Sequence, residues 1–442
     1  MSLKDKASLI FKPSRYKSGK AYSFRGSDVT VSRSSVGTRV NAEGKIEEVA
    51  SNMPRINYDP ADLNKCPVLL TEKDSTNHFP YSNDFTQSAW SKDKVTIVPN
   101  AAVSPDGTNN ASLMYINASG SANYINNNLS DSNSFYRTIS AYVKVAGRNK
   151  VWLYVNSSAS YGVVYFDLAK QTVTATAGSI STPTGKITEL SDGWFRIEAT
   201  TGAATQLSGG SGIGISDSNT LYGTAMGTAG VYIYGLQIEG TGKATSLINT
   251  NGSAATRADE TATASSPING ARGSFYFNLS QMNTIGYGTS VPTIALYKTN
   301  TTTGSIGLFD NNTTQGEMRA MARINGSLYG YNTNFSAPNG VKMCFVWDSN
   351  DNDTKAYKNG VLWGTINLSF TQTLSDGLVL NASTRENFLE YEEVLVYNER
   401  LSEAKAIELT SYDDYAELVE RNDLTWESPT ITNNRLTALK EL

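Results

Sequence analysis

Apolar and polar residues alternate along much of residues 67–259, and short turn sequences separate the alternating runs. The clearest runs are 136–145 (YRTISAYVKV) and 194–199 (WFRIEA), where apolar residues recur at every second position. Pro105-Asp106-Gly107 and Ser191-Asp192-Gly193 are typical turn sequences. A period of two places successive side chains on opposite faces of a strand. The pattern therefore predicts an antiparallel β-sandwich.

A second β-rich region follows a polar linker at residues 259–267. Its strongest predicted strands are 273–277, 293–297 and 343–347, and all three are rich in aromatic or branched residues. Asn359-Gly360 is a strong signal for a two-residue hairpin turn. These features predict a second sandwich.

The two ends of the chain carry weaker patterns. Residues 1–60 contain short alternating runs around a predicted turn at Asn41–Gly44, which are too few to bury a core. We therefore expect this segment to pack on a partner protein or on the following domain. Near the other end, Ser402 is placed to cap a short helix, and a second helix is predicted over residues 412–421.

Composition and charge narrow the function. Charged residues make up 18% of the chain, and 36 Gly and 24 Tyr accompany the β-rich pattern. A net charge of −4 gives no overall attraction to nucleic acid or to an anionic membrane. No apolar run approaches the ~18 residues of a membrane span, and the start of the chain lacks a secretory signal, so neither membrane insertion nor export is expected. Cys66 and Cys344 are expected to be free, buried thiols.

Three motifs give the chain a family resemblance. Residues 32–59, 66–90 (CPVLLTEKDSTNHFPYSNDFTQSAW) and 235–259 (GLQIEGTGKATSLINTNGSAATRAD) resemble recurring segments of bacteriophage virion proteins. In those proteins the last two segments bracket a sandwich similar to family-four-type carbohydrate-binding modules. Where relatives carry an aromatic residue after Ser246, this chain has Leu247. Residues 388–409 (FLEYEEVLVYNERLSEAKAIEL) resemble concanavalin A-like and laminin-G-like lectin domains.

The resemblance completes the predicted architecture. The fold is expected to be all-β, with two antiparallel β-sandwiches (jelly-rolls) in tandem, a short N-terminal anchor segment and a small C-terminal helical tail. The predicted units are a virion-docking segment (1–60), a carbohydrate-binding-module-like sandwich (61–260), a lectin-like sandwich (261–410) and the tail (411–442). The motif at 66–90 is interpreted as the junction between anchor and display domain. The basic N-terminal segment is expected to dock on other virion proteins.

No residue is assigned a catalytic role from the sequence. His78 is the only histidine, so histidine-dependent triads and histidine-rich metal sites lack the partners they need. Glycoside hydrolysis needs only two carboxylates, and the alternation of a strand predicts Glu390 and Glu392 on one face with Glu393 opposite. The acid spacing E-x-D-x-x-E of lectin-fold glycanases is absent. An outward polar face on an edge strand is the alternative explanation of these acids.

One segment has the oxygen-rich pattern of a calcium loop. Asp348, Asn350, Asn352 and Asp353 offer the oxygen ligands that calcium prefers, although the glycine and the distal glutamate of an EF-hand loop are absent. A solvent-exposed turn explains the same residues. No cofactor is predicted apart from this possible calcium ion. The glycine-rich run 208–214 is predicted to be a loop or a close backbone contact, not a phosphate site.

Aromatic residues are the candidates for glycan binding, because sugars pack their C–H faces on flat rings. Trp152, Tyr154 and Tyr161 are chosen because they flank the polar loop 156–160. Further aromatic residues of the two sandwiches are Tyr124, Tyr136, Tyr165, Tyr222, Tyr329, Tyr331 and Trp363.

The resemblance and the aromatic candidates together predict a non-enzymatic protein of the virion surface, in a fibre, baseplate or head-surface component. It is expected to bind host cell-surface glycans, and to form a homotrimer whose avidity strengthens weak single contacts. A glycan depolymerase and a purely architectural or decoration protein are the two alternatives.

Overall fold

The computed structural model describes residues 6–17, 20–120, 122–156, 161–179, 183–202, 205–265, 268, 271–285, 292–298, 304–310, 317–331, 334–337, 340–368, 374, 377–381 and 386–411. The predicted helix at 412–421 and most of the polar loop at 156–160 lie outside these residues.

The strands up to residue 72 are β1 (Leu9–Lys17), β2 (Lys20–Arg25), β3 (Thr30–Ser32), β4 (Gly37–Val40), β5 (Ile46–Val49), β6 (Arg55–Asn57) and β7 (Val68–Glu72). The strands from 75 to 257 are β8 (Ser75–Asn77), β9 (Ser91–Asp93), β10 (Val95–Ala102), β11 (Ala111–Ile116), β12 (Tyr124–Phe135), β13 (Thr138–Ala146), β14 (Lys150–Asn156), β15 (Tyr161–Asp167), β16 (Thr172–Gly178), β17 (Thr184–Glu189), β18 (Trp194–Thr200), β19 (Thr205–Ser216), β20 (Gly230–Glu239) and β21 (Ala255–Arg257). The remaining elements are β22 (Thr261–Ala264), β23 (Arg272–Ile285), β24 (Pro292–Lys298), β25 (Gly304–Asp310), β26 (Met318–Ile324), β27 (Ser327–Gly330), β28 (Val341–Asp348), β29 (Thr354–Lys358), β30 (Val361–Ile366), β31 (Gly377–Leu380), β32 (Glu386–Tyr397) and helix α1 (Glu403–Ser411).

The all-β prediction is confirmed, with antiparallel sheets packed in two sandwiches. Sandwich 1 consists of sheet 1, in the order β10-β11-β20-β13-β18-β17, and sheet 2, in the order β16-β15-β14-β19-β12-β9. Its core lies between them because alternate apolar residues of each sheet point inward, for example Ile139 and Val143 from sheet 1 and Val151 and Leu153 from sheet 2.

Sandwich 2 contains strands from both ends of the described chain. Sheet 3 has the order β2-β1-β32-β23-β28-β29-β30, and β6 and β7 extend it through a pairing of β7 with β32. Sheet 4 has the order β27-β26-β25-β24-β31-β22-β3. The two sheets bury a core that includes Phe275, Phe277, Ile294 and Leu296.

Of the strands before residue 60, β1, β2, β3 and β6 belong to the sheets of sandwich 2, whereas β4 and β5 form a separate hairpin. β1 pairs with β32, with Phe11 opposite Val394, and β3 pairs with β22, with Val31 opposite Ala262. Leu9 is fully buried in the core of sandwich 2. Sandwich 1 is therefore inserted between early and late strands of sandwich 2. The division at residue 60 that the weak local pattern suggested does not match this pairing, because a strand can complete a sheet whose other strands are distant in sequence.

The hairpin β4–β5 forms around the predicted turn, where Gly44 has a φ of 74°. Ile46 of this hairpin packs against Trp194, Tyr234 and Leu247 on the outer face of sheet 1. Leu247 stands where relatives carry an aromatic residue, and here it is buried by the hairpin. The N-terminal segment 1–60, called the leader below, thus covers the outer face of sheet 1 through this hairpin.

A buried charged junction lies where the chain passes between the sandwiches. It contains Arg33, Arg55, Glu72, Arg257 and Glu260, whose side chains are at most 1% exposed. Arg55 donates to Glu260 over 2.9 Å and to Glu72 over 2.7 Å, and Arg33 pairs with Glu260. Arg257 lies 3.3 Å from Glu72. The three arginines and two glutamates leave a net charge of only one unit, and such pairing is what buried ions need.

Backbone groups complete this junction. Arg33 donates to the Val49 carbonyl over 2.9 Å, and the Ser246 amide donates to Glu72 over 2.8 Å. Burial opposes ionisation of Glu72, but the positive charges of Arg257 and Arg55 hold its pKa well below the usual range. Four of the five charged residues lie in the three motifs that give the chain its family resemblance. The motifs therefore contribute to an internal junction between the two sandwiches, while the interpretation of 66–90 as the junction between anchor and display domain stays a prediction.

Helix α1 packs on the outer face of sheet 3, where Ala406 and Leu409 contact Cys344 and its neighbours. Ser402 caps the helix as predicted, because its Oγ atom accepts a hydrogen bond from the Lys405 amide over 3.4 Å. Both cysteines are free; Cys344 is buried as expected, whereas Cys66 is exposed. Within the described ranges, no helix has the length and apolar character to cross a membrane.

Candidate functional site

The predicted glycan-binding residues lie on one surface, the outer face of sheet 2. Trp152 and Tyr154 alternate with the core residues Val151 and Leu153 on β14, so their side chains point away from the core. On the neighbouring strand, Tyr161 pairs with Asn156 and shares this face. We define the aromatic face as Tyr124, Trp152, Tyr154, Tyr161, Tyr165 and Tyr222.

Trp152 is the base of the aromatic face and not its contact surface. Its side chain is only 2% exposed, because the ring lies flat against Gly214 of β19. A Cβ at Gly214 would lie 2.1 Å from the ring, so any larger residue would displace the tryptophan. Within the described part of the chain, no group accepts a hydrogen bond from Trp152 Nε1. The glycine-rich run 208–214 is thus a strand in close backbone contact, and not a loop.

Tyr124 and Tyr154 pack against this base and against each other. Their ring centroids lie 6.0 Å and 5.4 Å from that of Trp152, and 5.8 Å from each other. Burial raises the pKa of Tyr154 well above its usual range, although a side-chain hydrogen bond to Asn126 opposes the shift. Both tyrosines are partly exposed. They offer a ring edge and a neutral hydroxyl group to a ligand.

Tyr161 and Tyr222 are the most exposed rings of the face, at 48% and 56%. Tyr222 lies in the segment between β19 and β20 and forms an isolated bridge with Ala122 beside β12. Burial, followed by the nearby hydroxyl groups of Tyr161 and Tyr222, raises the pKa of Tyr165. Tyr161 and Tyr165 are on β15, and the bridge to Ala122 holds Tyr222 beside sheet 2. Tyr222 is one of the further aromatic residues named from the sequence, and local pattern could not place it near Tyr165, from which 56 residues of chain separate it.

The two outer faces of sandwich 1 differ in what covers them. The outer face of sheet 1 is covered by the β4–β5 hairpin through Ile46. On sheet 2, Leu221 of the segment between β19 and β20 packs on the cluster of Trp152, Val163 and Tyr165, which are at most 7% exposed. Tyr161 and Tyr222 stay exposed, so a glycan can reach their rings.

The predicted calcium loop connects β28 to β29, and its acids contact cationic side chains. Asp353 accepts a hydrogen bond from Arg400 over 2.9 Å and lies 3.1 Å from Lys355, and Asp351 pairs with Arg400. The carboxylate of Asp348 accepts the backbone amide of Asn350 over 3.0 Å. No group of three or more acids, cysteines and histidines suited to a metal occurs among the described residues. The calcium ion stays a prediction, and it would have to displace Arg400 and Lys355.

Glu390, Glu392 and Glu393 of β32 do not alternate as predicted. Leu279 of β23 pairs with Tyr391 and the adjacent Asn278 pairs with Glu393, so Glu392 forms a bulge. Tyr391 and Val394 both remain in the core of sandwich 2. The prediction that Glu393 lies opposite Glu392 is therefore wrong.

The environment of these acids also differs from that of an edge strand, because β32 lies between β23 and the strands β1 and β7. Glu390 accepts a hydrogen bond from Ser280 over 3.0 Å, and Glu392 accepts one from Asn278 over 2.6 Å. Glu393 lies 3.2 Å from Lys12. Burial raises the pKa of both Glu390 and Glu392. Each acid thus has its own hydrogen-bonding or ionic neighbour.

His78 lies beside a buried ion pair. Its Nε2 atom is 3.5 Å from Arg137 and 3.9 Å from Asp131, and Arg137 donates to Asp131 over 2.8 Å. Burial, and then the charge of Arg137, lowers the pKa of His78. This setting favours the neutral imidazole of His78.

Comparisons with known proteins give distant similarities of fold only. No family model and no curated protein matches the sequence. Among solved structures, the chain is similar to a pentraxin from Limulus polyphemus (13% identity, TM-score 0.24, 32% of this chain and 70% of that chain). It is also similar to the CBM40 module of the Ruminococcus gnavus IT-sialidase bound to α2,3-sialyllactose (15% identity, TM-score 0.24, 32% and 83%). A tail fibre protein of an Escherichia coli phage is similar over 75% of this chain and 41% of its own length (11% identity, TM-score 0.20).

Proposed function

We propose that this protein is a non-enzymatic, glycan-binding component of a bacteriophage virion surface. The observation that carries the proposal is the aromatic face, where tyrosines at 48% and 56% exposure accompany a packed aromatic base on the outer face of sheet 2. Flat rings next to carboxamides, such as Asn126 and Asn128, are the groups that bind sugar C–H faces and hydroxyl groups.

The placement on a virion rests on the resemblance of the three motifs to phage virion proteins. In this proposal the protein is a fibre, baseplate or head-surface component and forms a homotrimer. Three copies of the aromatic face would then bind a host surface together, and avidity would offset weak affinity at each face.

A glycan array with the full chain tests the binding site. We expect Tyr161→Ala combined with Tyr222→Ala to weaken glycan retention by about tenfold or more, because each ring contributes on the order of 1 kcal/mol of stacking. Phe24→Ala is the matched control, since Phe24 is 54% exposed and lies on sandwich 2.

Unchanged retention by the double variant would exclude the aromatic face as the binding site. Release of reducing ends from host polysaccharide, lost in Glu390→Gln or Glu392→Gln, would favour the depolymerase alternative. An array on which even the multimerised chain retains no glycan would favour the architectural alternative.

A further inference from the structure

A pocket of about 470 Å³ opens on sandwich 2, on a different domain from the aromatic face. Its walls come from three separate segments: the β26–β27 turn with Asn325, the β28–β29 loop with Asn352, and the end of β30 with Asn367 and Leu368. Tyr329 of β27 forms a further wall. The volume is in the range of ordinary small-molecule sites.

The lining of the pocket combines carboxamides with apolar groups. Asn325, Asn352 and Asn367 line the pocket from three segments, and an asparagine carboxamide carries a carbonyl acceptor and N–H donors. Tyr329 packs against the core of sandwich 2 and presents part of its ring, and Leu368 is 40% exposed. A ligand would therefore meet hydrogen-bonding groups and an apolar surface in the same pocket.

The lining residues carry no formal charge at neutral pH. The charged groups beside Asn352 are paired with one another, since Arg400 bonds Asp351 and Asp353, and Lys355 lies 3.1 Å from Asp353. Their fields largely cancel, so an anionic or cationic ligand gains little from this pocket. The chemistry instead suits a neutral ligand with many hydroxyl groups.

We propose that this pocket binds a sugar ring of an uncharged glycan. Adjacent hydroxyl groups would accept from and donate to the carboxamides of Asn352 and Asn367, while the C–H face would lie on Tyr329 and Leu368. The proposal rests on the proposed function in taking the ligand to be a glycan. It assigns to each chain a second sugar site, so that a single chain is already bivalent. It also gives Asn352 a role other than calcium coordination.

The test uses the full chain on an array of neutral and sialylated oligosaccharides. Asn352→Ala combined with Asn367→Ala should weaken retention of neutral oligosaccharides by on the order of tenfold, the effect of losing two or so hydrogen-bonding groups. Asn64→Ala combined with Asn109→Ala is the matched control, because both asparagines are exposed and lie elsewhere on the surface. Equal denaturation midpoints would show that both double variants are folded.

The same array is then probed with the Tyr161→Ala and Tyr222→Ala variant, alone and combined with the pocket variant. A further loss in the combined variant supports two sites. Retention by the pocket variant that equals its control on every neutral glycan overturns the pocket and leaves the aromatic face standing. Loss in the pocket variant alone supports the pocket and overturns the aromatic face. Loss confined to sialylated glycans contradicts a neutral ligand, and no retention by the unaltered chain overturns both proposals.

Discussion

At the scale of single residues, buried charge is the most informative feature. Glu260 is fully buried and pairs with Arg33 and Arg55, whose guanidinium groups have the same degree of burial. In such a network, loss of one partner leaves an uncompensated charge away from water. The junction therefore depends on each of its members.

We predict that Glu260→Gln lowers the free energy of unfolding by about 3–5 kcal/mol, because the buried arginines lose a negative partner. Urea denaturation of the full chain measures this change. Glu47→Gln is the control, since Glu47 pairs with Arg39 at 36% exposure and such pairs contribute under about 1 kcal/mol. Equal effects of the two substitutions would contradict the proposed importance of burial.

Local pattern decides only part of a residue's environment. Trp152 and Tyr154 were chosen because a polar loop lies beside them, and strand geometry places both on the outer face. The sequence could not show that Trp152 is buried, since its cover depends on Gly214 of a strand some 60 residues later in sequence. The exposed Tyr222 was likewise beyond local pattern. Whether these rings bind a glycan stays a prediction.

At the scale of elements, the contact between the sandwiches contains a lysine, Lys243, whose pKa is lowered. Lys243 follows β20, and its Nζ atom lies 3.5 Å from the centroid of Phe388 and 2.5 Å from Gln281 in sandwich 2. Burial lowers the pKa of Lys243 to about 8, although Glu198 and Glu390 oppose the shift. The unfolded chain therefore binds more protons than the folded chain between pH 8 and the ordinary lysine pKa near ~10.4.

We predict that stability attributable to Lys243 rises by roughly 1–2 kcal/mol between pH 8 and pH 10, because the unfavourable buried charge is lost in this window. Urea denaturation at several pH values measures the effect as the difference between the unaltered chain and Lys243→Met, which should lack it. Lys170→Met removes an exposed lysine and is the control, because this variant should keep the rise in stability between pH 8 and pH 10. The same pH dependence in all three proteins would exclude Lys243 as its source.

The boundaries of strands could be predicted from the sequence where the residues of the turn itself determine its conformation. Asn359-Gly360 forms the predicted hairpin turn with positive φ at both residues, as two-residue turns require. The bulge at Glu392 was not predictable, because it depends on the register between β32 and β23, which lie more than 100 residues apart. One extra residue in a strand exchanges the faces of all later side chains.

At the scale of the whole molecule, the order of strands in space differs from their order in the chain. The sequence supports two sandwiches, and each occurs. Local periodicity cannot show that β1 and β3 complete sheets of sandwich 2, because such pairing joins Leu9 to Val396 and Thr30 to Thr263. The expected docking segment is thus also a structural part of the second sandwich.

We predict that a chain lacking residues 1–32 loses the cooperative fold of sandwich 2, because it lacks β1–β3 and the buried Leu9 and Phe11. Sandwich 1 should remain folded. Limited proteolysis with mass spectrometry distinguishes the two sandwiches by the sites that are cut.

A protease site placed in the exposed turn at 60–66 provides the control. After cleavage we expect the leader to stay bound, so that the nicked protein runs as one species in gel filtration. Equal protection of residues 261–411 in the truncated and full chains would show that sandwich 2 does not need the leader.

The chain crosses between the sandwiches twice, and the two crossings lie side by side. β8 and β21 pair directly beyond them, and Lys73 of the first crossing lies 3.5 Å from Asp259 of the second. A pulling force on sandwich 1 is therefore shared by two parallel segments of the same chain and is not carried by a single flexible linker. In the proposed attachment role, such a double connection would resist stretching and limit swivelling of sandwich 1 in flowing liquid.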